Sequence, residues 1–472
     1  MIGALLLAFS AVAAPPSPSA DQKGGGGGVA PSAGKKGGGG VAPSAGKKGG
    51  GGVAPSAGKK GGGGGVAAVV TRLERLVKGH DRIVASQSDL EASRSGAAKA
   101  RGAYFPDLKA TADQGRESIE YGDASRDTDL DMRHFTLTAT QLLWDFGKTR
   151  AEVDKARVVE RQMENGLRIT RQDLLLEGIS ALMNLRKAHI TLEYARQSVD
   201  NIRRQAGMEE SRVELGSGFS TDVLQAKSQL AGAQARLTRA NGAWIAASNR
   251  YRALFDEEPP APESLPLLAV PQEGFPKSLE ELLAAVLREN PQLANAALGR
   301  ETAAAEIRRV RGAELLPKVN LVGEAKFKEN DSGTVGDKEE RVVKVEVTAP
   351  FNTGLSGFHA LEVAGRQQAA VDARARDTEA LVREQAGNAW QSLLTARENA
   401  DFLANQARIS GEFLGLAKEE RLQGRRSLID VLSGETSLIN AQSDAAAAEV
   451  DVVVAAYSIL RVLGRLELAA IR

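Results

Sequence analysis

The 472-residue chain contains no cysteine, which leaves it without a disulfide, a thiolate metal site, a cysteine nucleophile or a lipid-modified cysteine. Its four histidines, His80, His134, His189 and His359, are scattered and show no paired metal-binding spacing. Aromatic residues make up only 4 % of the chain and the formal charge is +1, so nothing suggests a nucleic-acid surface. No nucleophile, base and orienting group fall into a recognisable arrangement, no cofactor is implied, and the chain reads as a non-enzyme. Beyond the N-terminus no run supplies the 18 or so uninterrupted apolar residues of a membrane helix; Val450–Leu460 is broken by Asp451. If the mature chain meets a membrane, it does so through β-strands. Proline is missing between Pro106 and Pro259 and again after Pro350, and these two stretches are rich in Ala, Leu, Gln, Arg and Glu. Long helices can run through both without a break.

What is present is a duplication. The segment GSGFSTDVLQAKSQLAGAQ at Gly216–Gln234 returns 208 positions later as GRRSLIDVLSGETSLINAQ at Gly424–Gln442, aligning Gly216 with Gly424 and Asp222-Val223-Leu224 with Asp430-Val431-Leu432. A period this long exceeds the roughly 50 residues of solenoid repeats and points to a doubled half-barrel or half-bundle. Each half reads helix, strand, loop, strand, long helix, turn, long helix. A helix from Gly147 to about Leu215 would be about 100 Å long at 1.5 Å per residue, and one from Leu355 to about Gln423 would match it.

The strand segments alternate with a period of two. Leu108, Ala110 and Ala112 oppose Lys109, Thr111 and Asp113, and Phe135, Leu137 and Ala139 oppose Thr136 and Thr138. In the second half Val319, Leu321, Ala325 and Phe327 share one phase, as do Val343, Val345 and Val347. A soluble sheet with its apolar face on the helices and a membrane barrel produce the same pattern. Four strands cannot close a barrel, since the smallest membrane barrels have about eight, whereas three chains would supply about twelve. Trimerisation therefore follows if the strands span lipid, where an open edge is untenable.

The expected organisation is a secretory signal at residues 1–14, cleaved near Ala13 or Ala14, followed by a Gly/Lys/Pro-rich extension at 15–65 that repeats VAPSAG and is expected to stay flexible. A first repeat at 66–258, a linker at 259–276 holding six prolines, and a second repeat at 277–472 complete the chain.

The order and doubling of several motifs resemble the TolC-like outer-membrane efflux protein family. They are Gln141–Gly147 and Ala349–Gly354 at the strand-to-helix junctions, Leu215–Val223 and Gly424–Leu432 at the helical turns, and Asn290–Leu293 at the start of the second repeat. The resemblance implies a mainly α fold with a membrane β-barrel portion: a trimeric 12-stranded barrel in the outer membrane, continued by a long α-helical barrel in the periplasm. It implies a passive exit duct for efflux or type I secretion. The implied partners are two further copies of the chain, outer-membrane lipid, a periplasmic adaptor protein and an inner-membrane transporter. Some members of that family carry a lipidated N-terminal cysteine, which this sequence lacks. The competing reading is a soluble periplasmic coiled-coil adaptor or scaffold.

The resemblance also implies a gate at the turns, held by an Arg in the second and an Asp in the first, which fall here on Arg426 and Asp222, with Thr221 beside it. Asp430 falls on an acidic ring position; a second acidic ring position falls on Ser433 and a gate tyrosine on Arg421. The turns differ at Ser217-Gly218 against Arg425-Arg426, where a gate is best sought, whereas Gly216 and Gly424 serve the turn backbone. Ser427-Leu-Ile-Asp430 also fits a helix capping box, and Asp222 also suits a first helical turn on dipole grounds alone.

Overall fold

The computed structural model describes residues 62–471 apart from positions 121, 123, 124, 126, 218, 273 and 352. The expected signal segment and nearly all of the Gly/Lys/Pro-rich extension lie outside the described residues. The exception is the end of the extension, because the first helix, α1, spans Gly62–Gly79.

Each half begins with two helices, α1 and α2 (Asp81–Gly102) in the first, α5 (Leu279–Glu289) and α6 (Pro291–Glu314) in the second. A strand pair follows, β1 (Asp107–Ile119) with β2 (Thr128–Trp144), and β3 (Lys318–Glu329) with β4 (Asp337–Thr348). The long helices come next: α3 (Lys148–Glu214) and α7 (Ser356–Leu422) are each 67 residues, and α4 (Ser220–Phe255) and α8 (Leu428–Leu463) are each 36. Equal lengths in the two halves make the duplication one of whole elements. At 1.5 Å per residue α3 and α7 reach about 100 Å, which is why they extend past a single core.

Helices α3 and α7 act as full-length struts. Near the strands they pack against α2 and α6, and farther along against α4 and α8. Buried positions on α7 are mostly small or mid-sized, namely Gly357, Ala364, Ala375, Val382, Ala386, Leu393 and Ala417, so its neighbours approach closely. The junction of the halves rests on Asn290, 3 % exposed. Its Oδ1 accepts from the backbone N of Gln292 (2.8 Å) and Leu293 (3.2 Å), capping α6 with Pro291 in the first turn, while its Nδ2 donates to Val462 O at 2.8 Å.

The main core lies where α1, α5, the end of α4, the end of α8 and the middle of α3 meet, around Tyr251, Tyr457, Leu174, Ile179 and Leu182. The described part of the proline-rich segment at 259–276 holds no helix or strand beyond a short 3-10 turn at Pro262–Ser264, yet it is more than a tether. Leu265 and Leu268 are buried in the core, the Arg186 guanidinium donates to Leu265 O, and Tyr457 OH donates to Ala269 O at 3.2 Å. Prolines supply no backbone donor, so the strap is held by its carbonyls and its leucines.

The four strands form one antiparallel sheet in the order β1-β2-β3-β4, with β1 and β4 at its edges. None of the described helices packs across either face.

Candidate functional site: the sheet surface and the helical tips

Opposed residues of an antiparallel sheet point to the same face, so the register assembles the alternating segments into two surfaces. Leu108, Ala139, Gly323 and Val343 form one row, and Ala110, Leu137 and Ala325 the next, ending on Arg341. Nearer the helices, Leu321 sits opposite Val345, and Trp144, Val319 and Val347 share a row beyond the register shift between Leu142 and Trp144. This apolar face is open: Leu108 is 70 % and Val343 79 % exposed. A soluble sheet would bury it against the helices, as the adaptor reading requires, and it does not.

Aromatic side chains bound the apolar face at both ends. Toward the loops Phe135 and Phe327 are directly opposed with ring centroids 6.2 Å apart. Toward the helices Trp144 meets Phe146 edge-on at 6.0 Å, and Tyr104, Phe105, Phe351 and Phe358 are exposed nearby in sequence at the strand-to-helix junctions. From Phe135 to Trp144 a strand rises about 30 Å, or about 23 Å in height at a tilt of about 40°, which matches the apolar band of roughly 25 Å in membrane barrels with its aromatic girdles. Beyond Phe135 the same face turns ionic, with Arg133 paired to Glu329 (3.4 Å) and Arg116 to Asp129.

The opposite face is lined by charges of alternating sign that pair with one another. Glu324 meets Lys326 (2.7 Å) and Lys344 (3.5 Å), Lys344 meets Glu346 (3.4 Å), and Lys338 meets Glu340 (2.6 Å). No described helix is long and apolar enough to cross a membrane, so among the described elements the sheet is the membrane candidate.

At the far end of the long helices the two turns share one backbone. Gly216 and Gly424 both have φ 74°. Gly216 N donates to Val213 O (2.9 Å) and Ser217 N to Arg212 O (2.9 Å); Gly424 N donates to Arg421 O (2.8 Å) and Arg425 N to Glu420 O (2.9 Å). Each is a Schellman ending that requires a left-handed residue, so the two glycines are architectural. Gly218 lies outside the described residues. The turns sit side by side because Leu428 and Leu432 of α8 are buried with Val199, Ile202 and Ala206 of α3 and Ala226 of α4.

Ser427 Oγ accepts from Asp430 N (3.3 Å), so Ser427 caps α8, which is one half of the expected capping box, and Asp430 itself is exposed. Thr221 and Asp222 lie in the first turn of α4, where a carboxylate favours the helix dipole. Arg425 is exposed. Within the chain Arg426 is not joined to Asp222: its Nε donates to Glu420 Oε2 at 2.6 Å, six residues back in the same turn, and its guanidinium lies 5.2 Å from the Phe413 ring centroid. The local carboxylate and aromatic ring are simply nearer.

The contacts between hairpins fall on Glu209, Arg212 and Glu435, which the sequence did not single out, and on Arg421, marked there only as standing where the resemblance implies a tyrosine. Arg421 Nη2 donates to Glu209 Oε1 at 2.6 Å, tying α7 to α3, and Arg212 adds a second guanidinium at 3.3 Å. Glu209 is only 5 % exposed at its side chain. One turn farther from the tips Glu435 of α8 is buried and accepts from Asn201 Nδ2 (2.7 Å) and Gln205 Nε2 (2.5 Å) of α3. In sequence these carboxylates look like any others on a solvated helix face. The signal available was Arg421, which departs from the tyrosine implied at that position.

Comparison with known proteins agrees with this geometry. The model of the outer membrane efflux protein family matches residues 73–255 and 282–465. The outer membrane efflux protein BepC of Brucella suis is 27 % identical over 332 residues, covering 69 % of this chain and 71 % of the relative. The outer membrane protein TolC of Vibrio cholerae is 24 % identical over 396 residues, covering 81 % and 87 %. The Campylobacter jejuni CmeC outer membrane channel shares the fold with a TM-score of 0.75 at 14 % identity, over 86 % of this chain and 87 % of that one. The two matched segments are the two halves of the duplication, each running from its leading helices through its strand pair to the end of its second long helix, and the chain belongs to the outer membrane efflux protein family.

Proposed function

We propose that the chain is one third of a passive exit duct: a trimer whose three four-stranded sheets close a 12-stranded barrel in the outer membrane and whose helices continue it as a tunnel through the periplasm. The observation that carries this reading is the uncovered apolar face of the sheet, bounded by aromatic residues and ending in open edges at β1 and β4. An edge facing lipid leaves backbone groups without partners, and joining β4 of one copy to β1 of the next removes every edge. The helices support the same assembly. Exposed Phe402, Ile409 and Leu416 on α7 lie at one side of the helical layer, and exposed Leu224 and Ile245 on α4 at the other.

The duct would receive efflux or type I secretion cargo from an inner-membrane transporter through a periplasmic adaptor that docks at the helical tips. Three-fold repetition brings Thr221, Asp222, Arg425, Arg426 and Asp430 to one ring, where Arg426 of one copy can exchange Glu420 for Asp222 of the next. Each exposed pair contributes about 1 kcal/mol or less, so three hold a closed state by about 3 kcal/mol at most, short of the roughly 5.5 kcal/mol of a fully swung equilibrium. Such a ring yields to adaptor contacts.

Detergent-extracted protein is expected to run as a trimer that shifts to monomer on heating in gel electrophoresis; extraction as a soluble monomer would sink the duct. In planar bilayers Arg426→Ala is expected to raise single-channel conductance, and an unchanged conductance would remove Arg426 from the gate.

A further inference from the structure

The turn between β3 and β4 does not stand up from the sheet. It is closed on itself by Asn330 N donating to Gly336 O (3.0 Å) and Gly336 N donating to Asn330 Oδ1 (3.0 Å), and it leans across β2. Asn330 Nδ2 donates to Asp131 O of β2 (2.9 Å), and Gly333 N donates to Glu117 Oε2 (3.0 Å). Glu117 belongs to β1, two strands away from β3, so the turn and the Glu117 side chain meet over β2.

The face it crosses follows from the register. Glu117 is opposite Leu130, in phase with His134 and Thr136, and Lys328 is opposite His134; all lie on the charged face. Asp331 anchors the turn there, with one carboxylate oxygen 2.7 Å from Lys328 Nζ and the other 3.2 Å from His134 Nε2, which faces it without the alignment of a hydrogen bond. Lys328 also lies 3.9 Å from Glu340 of β4. Although it sits in a surface turn, the Asp331 side chain is only 14 % exposed. The apolar face being the outer one, this charged face is the wall of the channel.

Resting on the exit-duct reading, we infer that residues Asn330–Gly336 form an inward strap that narrows the outer mouth of the channel, latched by Asp331 to Lys328 and by Glu117 to the Gly333 amide. Three straps, one from each copy, would stand around the mouth. A latch made of charge-assisted contacts at the edge of water is strong enough to hold a seven-residue turn and weak enough to be pushed aside by emerging cargo.

The chain has no cysteine, so single cysteines report without background. In intact cells a polymer-tagged, membrane-impermeant maleimide would be applied to two reporters. Thr136→Cys lies on the charged face below the strap, opposite Thr111 and Lys326, and Ser118→Cys lies on the outer face above the apolar band, opposite Asp129. Each would be combined with the intact strap, with the Asp331→Asn and Glu117→Gln pair, and with deletion of residues 332–335; the neutralised pair keeps the chain length if the deletion does not assemble. Ser118→Cys is expected to label alike in all backgrounds, and Thr136→Cys about tenfold faster once the latch is lost. Equal Thr136→Cys rates beside normal Ser118→Cys labelling would overturn the strap alone. Absence of Ser118→Cys labelling from outside would remove the duct reading and the strap with it.

Discussion

Gly424 and Gly464 have nearly the same left-handed backbone, φ 74° and 77°, in different surroundings. A Cβ on Gly424 would meet nothing within 4 Å, whereas one on Gly464 would lie 2.7 Å from Pro291 Cδ and 2.9 Å from Glu289 O. Alanine at Gly424 therefore costs backbone strain alone, about 1 kcal/mol, while at Gly464 it also forces the α8 end away from the α6 cap, for about 3 kcal/mol or more. Thermal unfolding of the two purified variants should separate them, with Gly464→Ala the lower by several degrees; equal melting temperatures would contradict the close packing. The sequence marked only Gly424, through the repeat. What distinguishes Gly464 is a neighbour more than 170 residues away, Pro291, and that contact belongs to the folded chain.

Strands, turns and helices differ in how much of them local sequence carries. The four alternating segments read correctly because period two survives any tertiary arrangement, and the proline-free stretches gave helices within a residue or so of their ends. The pairing of β2 with β3, which merges two hairpins into one sheet, has no local signature. Neither has the burial of Leu265 and Leu268, which turns the proline-rich linker into a strap on the core. At the tips the turn backbone was legible and its ion pairs were not, because Arg426 had Glu420 nearby in its own turn while Glu209 gained Arg421 only by folding. The sheet makes the sharpest prediction at this scale. Val343→Arg puts a charge near the middle of the apolar band, at a cost of about 2–4 kcal/mol, whereas Lys344→Gln on the charged face next to it costs little. Heat-modifiable trimer recovered from outer membranes should fall for Val343→Arg and persist for Lys344→Gln; equal recovery of both would mean that this face does not meet lipid.

At the scale of the whole molecule the two halves repeat element by element, so the proposed trimer would present six similar hairpins around one axis, with the two kinds of tip alternating. Identical scaffolds carrying different tip side chains let one end of the molecule vary without altering the packing that supports it. On the charged face of the sheet Glu324, Lys326, Lys344 and Glu346 neutralise one another, so in the proposed duct this face would discriminate little by charge. With its tips opened by Arg426→Ala, the assembly is expected to show a reversal potential close to zero in a potassium chloride gradient, and the Lys326→Glu and Lys344→Glu pair should shift it toward cation preference. A strong preference in the parent would mean that another ring controls permeation. A wall that satisfies its own charges has little left to offer a passing solute of either sign. In the duct proposed above, such a wall would leave throughput to whatever pushes from behind, and a change of cargo would require a change of pump and not of pipe.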